Sequence, residues 1–332
     1  MGRAKKIIHF CLLMLLTMVL ASCGSIVEKH NEAETETKKD KIILGFAQLG
    51  DESNWRTANT ESIISAAKDA GIDLVFSNAQ QDQAKQIKQI RSFIAQQVDI
   101  IAFSPLIETG WDSVLEEAKA AGIPVIITDR SIETLDDSLY KTFIGSDFLE
   151  EGRRAGEWLI NKLGDSKEDV NIFELQGTLG ATPTLERKDG FQEAIYKQHN
   201  FKIIGTMYAD FMHSKGKEAM EYYLKNTTTK INVLYAHNDD MALGAIEAIE
   251  EVGLLPGKDI IIISIDSVKE AFKAMIAGKL NCTVECNPLL GPKLMQAVID
   301  IINGKSIAKR IIMEEGIFPQ ETAQQDIVGR TY

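Results

Sequence analysis

Residues 231–266 read INVLYAHNDDMALGAIEAIEEVGLLPGKDIIIISID, and the change of period inside this stretch decides the fold. The run 231–237 is apolar on successive residues, as in a strand buried on both faces. Met241, Ala245, Ile249 and Val252 then recur three and four apart, which predicts a helix with one apolar stripe. Gly253 follows the last turn, where a left-handed cap suits glycine. The run 259–266 (DIIIISID) is apolar again until Asp266. Strand, helix and strand in this order form a βαβ unit with parallel strands.

The alternation extends in both directions. Further strands are expected at 42–48, 72–78, 99–104, 124–129, 142–146, 170–176 and 202–208. Helical stripes lie between most of them, for example Ala84, Ile87, Ile90 and Ile94, or Trp111, Val114, Leu115 and Ala118. Nine such strands exceed one sheet of ordinary size, so the fold class is α/β with two doubly wound parallel-sheet, Rossmann-like lobes. A strand follows a strand without a helix near 142–147, which places a crossover between lobes there. Residues 280–287 read as a strand leaving one lobe for the other. A length of 332 residues agrees with two domains.

Composition narrows the function. A formal net charge of −12 repels phosphate backbones and excludes nucleic acid as a partner. Four cysteines are too few for a disulfide scaffold. Cys282 and Cys286 lie four apart on one expected strand, about 13 Å between Cα atoms at the usual rise, too far to bridge. Both are expected to be free packing thiols. The five histidines show no ligand spacing, so neither metal nor cofactor is expected. Motifs for dinucleotides, nucleotide phosphates, nucleophile elbows and zinc hydrolases are absent, and a sugar hydrolase is set aside for want of any placed carboxylate pair.

The N-terminus carries an address. Arg3, Lys5 and Lys6 precede an apolar stretch from Ile7 to Leu20 that is short for a membrane span. It ends in Leu20-Ala21-Ser22-Cys23, which resembles a bacterial lipobox. Residues 1–22 are therefore expected to be a lipoprotein signal peptide, with lipidation at Cys23. Residues 23–40 are polar and charged and are expected to be a flexible tether.

In open parallel sheets, ligands bind beyond the carboxyl ends of the strands. The polar residues at those ends are Trp55 and Arg56 after strand one, Asp129 and Arg130 after strand four, and Arg187 beyond 170–176. Asn238 and Asp266 end later strands, and Glu285 lies on 280–287. Acceptors, forked donors and an aromatic face together suit a neutral polyhydroxyl ligand. Competing structural readings exist. Asp129 and Asp266 would serve as helix caps, Arg130 and Arg187 as surface ion pairs, and Trp55 as packing at a helix start. Asp239 and Asp240 read as helix-start acids, His237 as structural, and Trp111 and Trp158 as core.

The segments SNWR (53–56), SPLIETGW (104–111), IPVIITDRSI (123–132), ELQGTLGATPTLERKDGFQ (174–192) and YAHNDDMALGAIEA (235–248) carry a family resemblance. The chain resembles the periplasmic sugar-binding proteins of ABC importers, in the ribose- and galactose-binding group, and within it is most similar to galactofuranose-binding proteins. The resemblance implies a type I periplasmic binding protein fold with a three-strand hinge and crossovers near 146, 286 and 315. The N-terminal lobe would comprise 41–146 and 286–315, and the C-terminal lobe 147–285 and 316–332. It implies sugar stacking at Trp55, an extra donor at Arg56, an acid–arginine pair at Asp129 and Arg130, and ligand contacts at Arg187, Asn238, Asp266 and Glu285. The implied protein is a monomeric, non-enzymatic extracytoplasmic lipoprotein that passes a monosaccharide, galactofuranose or a similar sugar, to a permease and its ATPase. Two alternatives share the body. A sensor would present the sugar to a chemoreceptor or histidine kinase, and a transcription regulator would need a DNA-binding segment where the export signal lies.

Overall fold

The computed structural model describes residues 41–332. The expected signal peptide, the tether and Cys23 lie outside the described residues. The described residues form two six-stranded sheets. The strands of the first are β1 (Ile43–Gln48), β2 (Asp73–Asn78), β3 (Ile100–Phe103), β4 (Val125–Thr128), β5 (Thr142–Gly145) and the late β11 (Arg310–Ile312). The second holds β6 (Val170–Gln176), β7 (Phe201–Tyr208), β8 (Val233–Ala236), β9 (Ile261–Asp266), β10 (Cys282–Glu285) and β12 (Ile317–Pro319). Strand orders are β11-β5-β4-β3-β1-β2 and β12-β10-β9-β8-β6-β7. Every pairing is parallel except that of β12 with β10.

Each strand expected from the sequence lies within two residues of an observed one. The three-residue β11 and β12 are too short to show a period of their own and were not legible. They form because their backbones add to the edges of sheets that already exist.

Helices α1 (Asn54–Asp69), α2 (Gln83–Ala95) and α3 (Asp112–Ala120) connect strands of the first sheet. Helices α4 (Phe148–Leu163), α5 (Thr182–Ile195), α6 (His213–Asn226), α7 (Asp239–Glu251) and α8 (Lys269–Ile276) serve the second. Helix α9 (Gly291–Ile302) returns to the first lobe, where Leu294 and Val298 pack with Phe46 and Ile63. A short α10 (Ala323–Asp326) follows β12. Local signals start several helices. Ser53, Asp82, Asp147 and Asn238 each accept a backbone N–H three residues on. Gly253 closes α7 with φ +80°, a conformation that a Cβ would disfavour.

The core of the first lobe covers both faces of its sheet. Phe103, Trp111 and Phe143 lie on one face, and Leu44, Phe46 and Ile126 on the other. In the second lobe one continuous cluster runs from Ile172 and Phe191 through Tyr235 to Phe272. Trp111 is fully buried and Trp158 packs against the second core, as expected. Cys282 and Cys286 are free and buried.

The chain passes between sheets three times: from β5 into α4, from β10 into α9, and from β11 into β12. In each sheet the strand order reverses beside the first strand of the lobe, β1 or β6. A crevice opens at such a switch point, past the carboxyl ends of the strands.

Candidate functional site

A small cavity lies where the two switch points face each other, the usual place for a ligand in open α/β sheets. The first lobe lines it with Glu52, Ser53, Trp55, Arg56, Asp129 and Arg130. The second lobe adds Phe148, Pro183, Arg187, Phe211, Asn238 and Asp266, and Cys286 comes from a crossing segment. Of the eight ligand-binding residues expected from the sequence, seven lie on this one cavity.

Loop geometry in the first lobe builds a ring of four charges. Ser53 Oγ caps α1 by accepting from Arg56 N–H at 3.0 Å, which turns the Arg56 side chain toward the end of β4. Its Nη2 lies 2.7 Å from Asp129 Oδ2, and its Nε lies 3.0 Å from Glu52 Oε1. Arg130 Nη2 lies 3.5 Å from the same Glu52 oxygen, and its Nη1 donates to Leu106 O at 2.9 Å. All four side chains are at most 5 % exposed. Burial works against Glu52's charge, but the guanidiniums of Arg56 and Arg130 outweigh it and hold Glu52 below the usual carboxylate range. Arg130 falls to about 10, chiefly through burial with Arg56 beside it, and so stays charged at neutral pH.

The second lobe answers with Arg187. Its Nε donates to Glu151 Oε2 at 2.7 Å and its Nη1 to His237 O at 2.5 Å, while Nη2 lies 3.6 Å from Asp266 Oδ1. This close docking of α5 on α4 depends on glycine. A Cβ on Gly152 would stand 2.2 Å from Arg187 O, and one on Gly190 2.0 Å from Leu149 O. Burial pushes Asp266 well above the ordinary range although Arg187 opposes it. Aromatic rings back the guanidiniums: Phe148 lies 5.2 Å from that of Arg187, and Phe211 5.0 Å from that of Arg130.

Asp129 and Asp266 share a backbone feature. Both have positive φ, +59° and +120°, as does Phe211 at +63°. Non-glycine residues rarely adopt this region, and such strain collects at functional sites.

The competing readings resolve at particular atoms. Neither Asp129 nor Asp266 caps a helix; the N-cap of α8 is Val268, which makes no side-chain cap bond. Arg130 and Arg187 are buried rather than surface ion pairs. Trp55 is buried, and its Nε1 donates to Cys286 O at 2.6 Å, so it holds a crossing segment as well as lining the cavity. Asn238 caps α7 and donates from Nδ2 to Phe211 O at 3.1 Å. His237 is structural: its Nε2 meets Glu174 Oε1 at 3.1 Å in the core, and burial lowers its pKa.

One residue is misplaced by the sequence reading. Glu285 does not line the cavity. Its Oε1 accepts from Arg330 Nη1 at 2.5 Å and Tyr332 Oη at 2.8 Å, and its Oε2 from Gly316 N–H at 3.0 Å. The next residue, Cys286, takes the place on the cavity, because successive side chains leave a strand on opposite sides. Glu52, Phe148, Pro183 and Phe211 were missed. Glu52 stands four before Arg56 on the way into α1, a spacing that could have flagged it; the other three come from the start of α4, the first turn of α5 and the loop after β7, which only folding brings together. The helix-start acids also do more than expected. Asp239 accepts from Thr283 Oγ1, Val268 N–H and Ser264 Oγ. Asp240 reaches across the cleft to Asn54.

Comparison with known proteins agrees with this architecture. Residues 44–306 match the periplasmic binding protein domain. The galactofuranose-binding protein YtfQ of Escherichia coli strain K12 is 44% identical over 86% of this chain and 90% of its own length. A solved structure from Mycobacterium smegmatis in complex with β-D-fucofuranose is 51% identical, with TM-score 0.86 over 88% of this chain and 95% of that one. The binding-protein component of the arabinose ABC transporter of Shewanella sp. ANA-3, bound to L-arabinofuranose, is 47% identical, with TM-score 0.84 over 87% and 95%. Two parallel-sheet lobes facing across a polar cleft, and a family match over most of the described residues, lead to one conclusion: this chain belongs to the periplasmic binding protein family.

Proposed function

We propose that the protein is a solute-binding protein that closes its two lobes on one monosaccharide in furanose form, galactofuranose or a near relative. The observation that carries the reading is the charge balance of the cleft. Its first-lobe wall holds two carboxylates and two guanidiniums already paired with one another. An ionic ligand would upset that balance, whereas hydroxyl groups can both accept from arginine and donate to carboxylate. Pairing before the ligand arrives fixes the donors and acceptors in place, which lowers the ordering penalty on binding. The rings of Trp55, Phe148 and Phe211 offer apolar faces to the C–H side of a sugar. Three similar proteins are named for or bound to furanoses, which supports the ring form.

In this reading Trp55, Arg56, Asp129, Arg130, Arg187, Asn238 and Asp266 contact the sugar, and Glu52 orients both first-lobe arginines. Closure excludes water, so a hydroxyl of the wrong configuration leaves a buried charge unpaired. The closed form then delivers the sugar to an ABC permease from the outer side of a membrane, held there by lipid on Cys23. Titration calorimetry with methyl β-D-galactofuranoside and methyl β-D-galactopyranoside tests the ligand class. The furanoside is expected to bind at least about 100-fold more tightly; equal binding, or none, rejects the reading.

A further inference from the structure

The three segments that pass between the lobes bring together a group of polar side chains outside the cleft's charge ring. Ser146 lies in the first crossing, Glu151 in the first turn of α4 just after it, Cys286 in the second crossing and Glu315 in the third. A carboxylate oxygen of Glu151, Cys286 Sγ and a carboxylate oxygen of Glu315 lie within 4.8 Å of one another. Glu315 Oε1 accepts twice, from Ser146 Oγ at 2.5 Å and Asn287 N–H at 2.9 Å. Ser146 Oγ also lies 3.3 Å from Cys286 Sγ. Glu151 gives Oε2 to Arg187 at 2.7 Å, but its Oε1 is buried and has no hydrogen-bond partner.

A buried carboxylate oxygen needs a donor. Two carboxylates sharing one site do not both ionise without strong repulsion. The surrounding charges do not relieve that repulsion. Arg187 is the cation on Glu151, and it is shared with Asp266 on β9. Arg154 on α4 spends its Nε on Glu150 and its Nη1 on the backbone carbonyl of Glu315. Glu285 on β10 is held by Arg330 and Tyr332. Glu186 on α5 and Asp147 before α4 add further acid. With Arg187 already in contact, a divalent cation would meet far more repulsion than a single proton shared between the two carboxylates. Glu315 Oε1 is occupied, which leaves Oε2 to carry that proton.

We propose that Glu315 is a positioning residue for Arg187: in its protonated form it donates to Glu151 Oε1, and so ties Glu151, and through it the guanidinium facing the cleft, to the third crossing segment. Opening and closing the lobes flexes the crossings, so the shared proton couples the hinge to the ligand-facing arginine. Burial, with Glu151 beside it, pushes Glu315 up to about 9. Burial and Glu151 also raise the Cys286 thiol, so the thiol stays neutral in the same range. The inference rests on the sugar-binding reading for its consequence, not for the proton itself.

The test has two arms. In protein labelled with ¹³C at glutamate carboxyls, one resonance is expected to titrate near pH 9 and to vanish in Glu315→Gln. Absence of any glutamate titrating above about pH 8 overturns the proposal, as does equimolar zinc uptake that Glu315→Gln abolishes. In the second arm, affinity for methyl β-D-galactofuranoside is followed from about pH 6 to about pH 10.5. Wild-type affinity is expected to fall about tenfold or more above about pH 9. Glu315→Ala should bind weakly throughout. Glu315→Gln, whose amide can donate to Glu151 at any pH, should restore neutral-pH affinity and leave only the later fall near pH 10, where Arg130 loses its charge. A Glu315→Gln profile that falls at the same pH as wild type overturns the positioning role. A wild-type protein that shows the high titration but ignores the furanoside rejects the sugar reading and leaves the shared proton standing.

Discussion

Asn54 and Asp240 meet across the cleft: the backbone N–H of Asn54 donates to one oxygen of Asp240 at 3.1 Å, and its Nδ2 donates to the other at 2.9 Å. Asn54 begins α1 in the first lobe and Asp240 lies in the first turn of α7 in the second. The pair fastens two helix starts to each other beside the cavity. Two further contacts join the lobes: Ser131 N–H donates to Thr182 Oγ1 at 3.1 Å and Glu108 N–H to Gly180 O at 3.0 Å.

Loss of the Asn54 side chain should therefore weaken closure more than folding. A buried hydrogen bond contributes about 0.5–1.5 kcal/mol, and about 1.5–3 kcal/mol while its partner is ionised. Asn54→Ala is expected to lower furanoside affinity by about tenfold or more with a melting temperature near that of wild type. Calorimetric titration beside thermal unfolding checks this; an equal loss in both would make the contact a folding element.

Asp240 also predicts an unusual pH response. Burial, with Asp239 and Glu52 adding to it, pushes its carboxyl up to about 7, although the Asn54 N–H works the other way. The folded state thus keeps a proton that the unfolded chain releases near pH 4. This contribution to stability is full below about pH 4 and is lost as pH rises through about 7. Urea midpoints should fall across that window, by an amount equivalent to a few kcal/mol at most. Asp240→Asn should flatten that part of the slope, and an unchanged slope would reject the assignment.

Arg130→Ala or Asp266→Ala should abolish detectable furanoside binding, a loss of about 100-fold or more, while unfolding stays cooperative. Each removes a buried polar side chain from the cavity wall, so some stability falls as well. Unchanged affinity in both variants would remove the cavity from consideration as the sugar site.

Trp111→Ala should do the reverse. The indole is fully buried against Phe103, ring centroids 4.9 Å apart, and its Nε1 donates to Ile107 O at 2.7 Å. It does not line the cavity. A loss of about 3–5 kcal/mol in unfolding free energy is expected, with furanoside affinity kept wherever the protein remains folded.

Gly152→Ala tests how Arg187 is held. The new Cβ would collide with the Arg187 carbonyl at 2.2 Å, and backbone cannot yield as a flexible side chain can. Helices α4 and α5 must separate, which stretches the Glu151–Arg187 bond. Stability should fall by about 1–3 kcal/mol and furanoside affinity should fall with it. Unchanged affinity would show that the guanidinium is not positioned by this packing.

Apart from the short β11 and β12, the strands, the helical stripes and the strand ends where polar residues collect were legible in the chain. These features are local: the apolar period sets element type, and a residue such as Asp129 or Asn238 ends a strand whatever surrounds it. Seven cavity residues could therefore be named from the chain alone. Tertiary structure decided the rest. Glu285 and Cys286 are neighbours in sequence, yet Arg330 and Tyr332 from the C-terminal tail claim one while the cavity takes the other. The fastening of Asn54 to Asp240 and the meeting of Ser146, Glu151, Cys286 and Glu315 join residues from separate crossings and lobes. Hydrogen bonds and burial act through space, so their partners are set only once packing has fixed which distant segments touch.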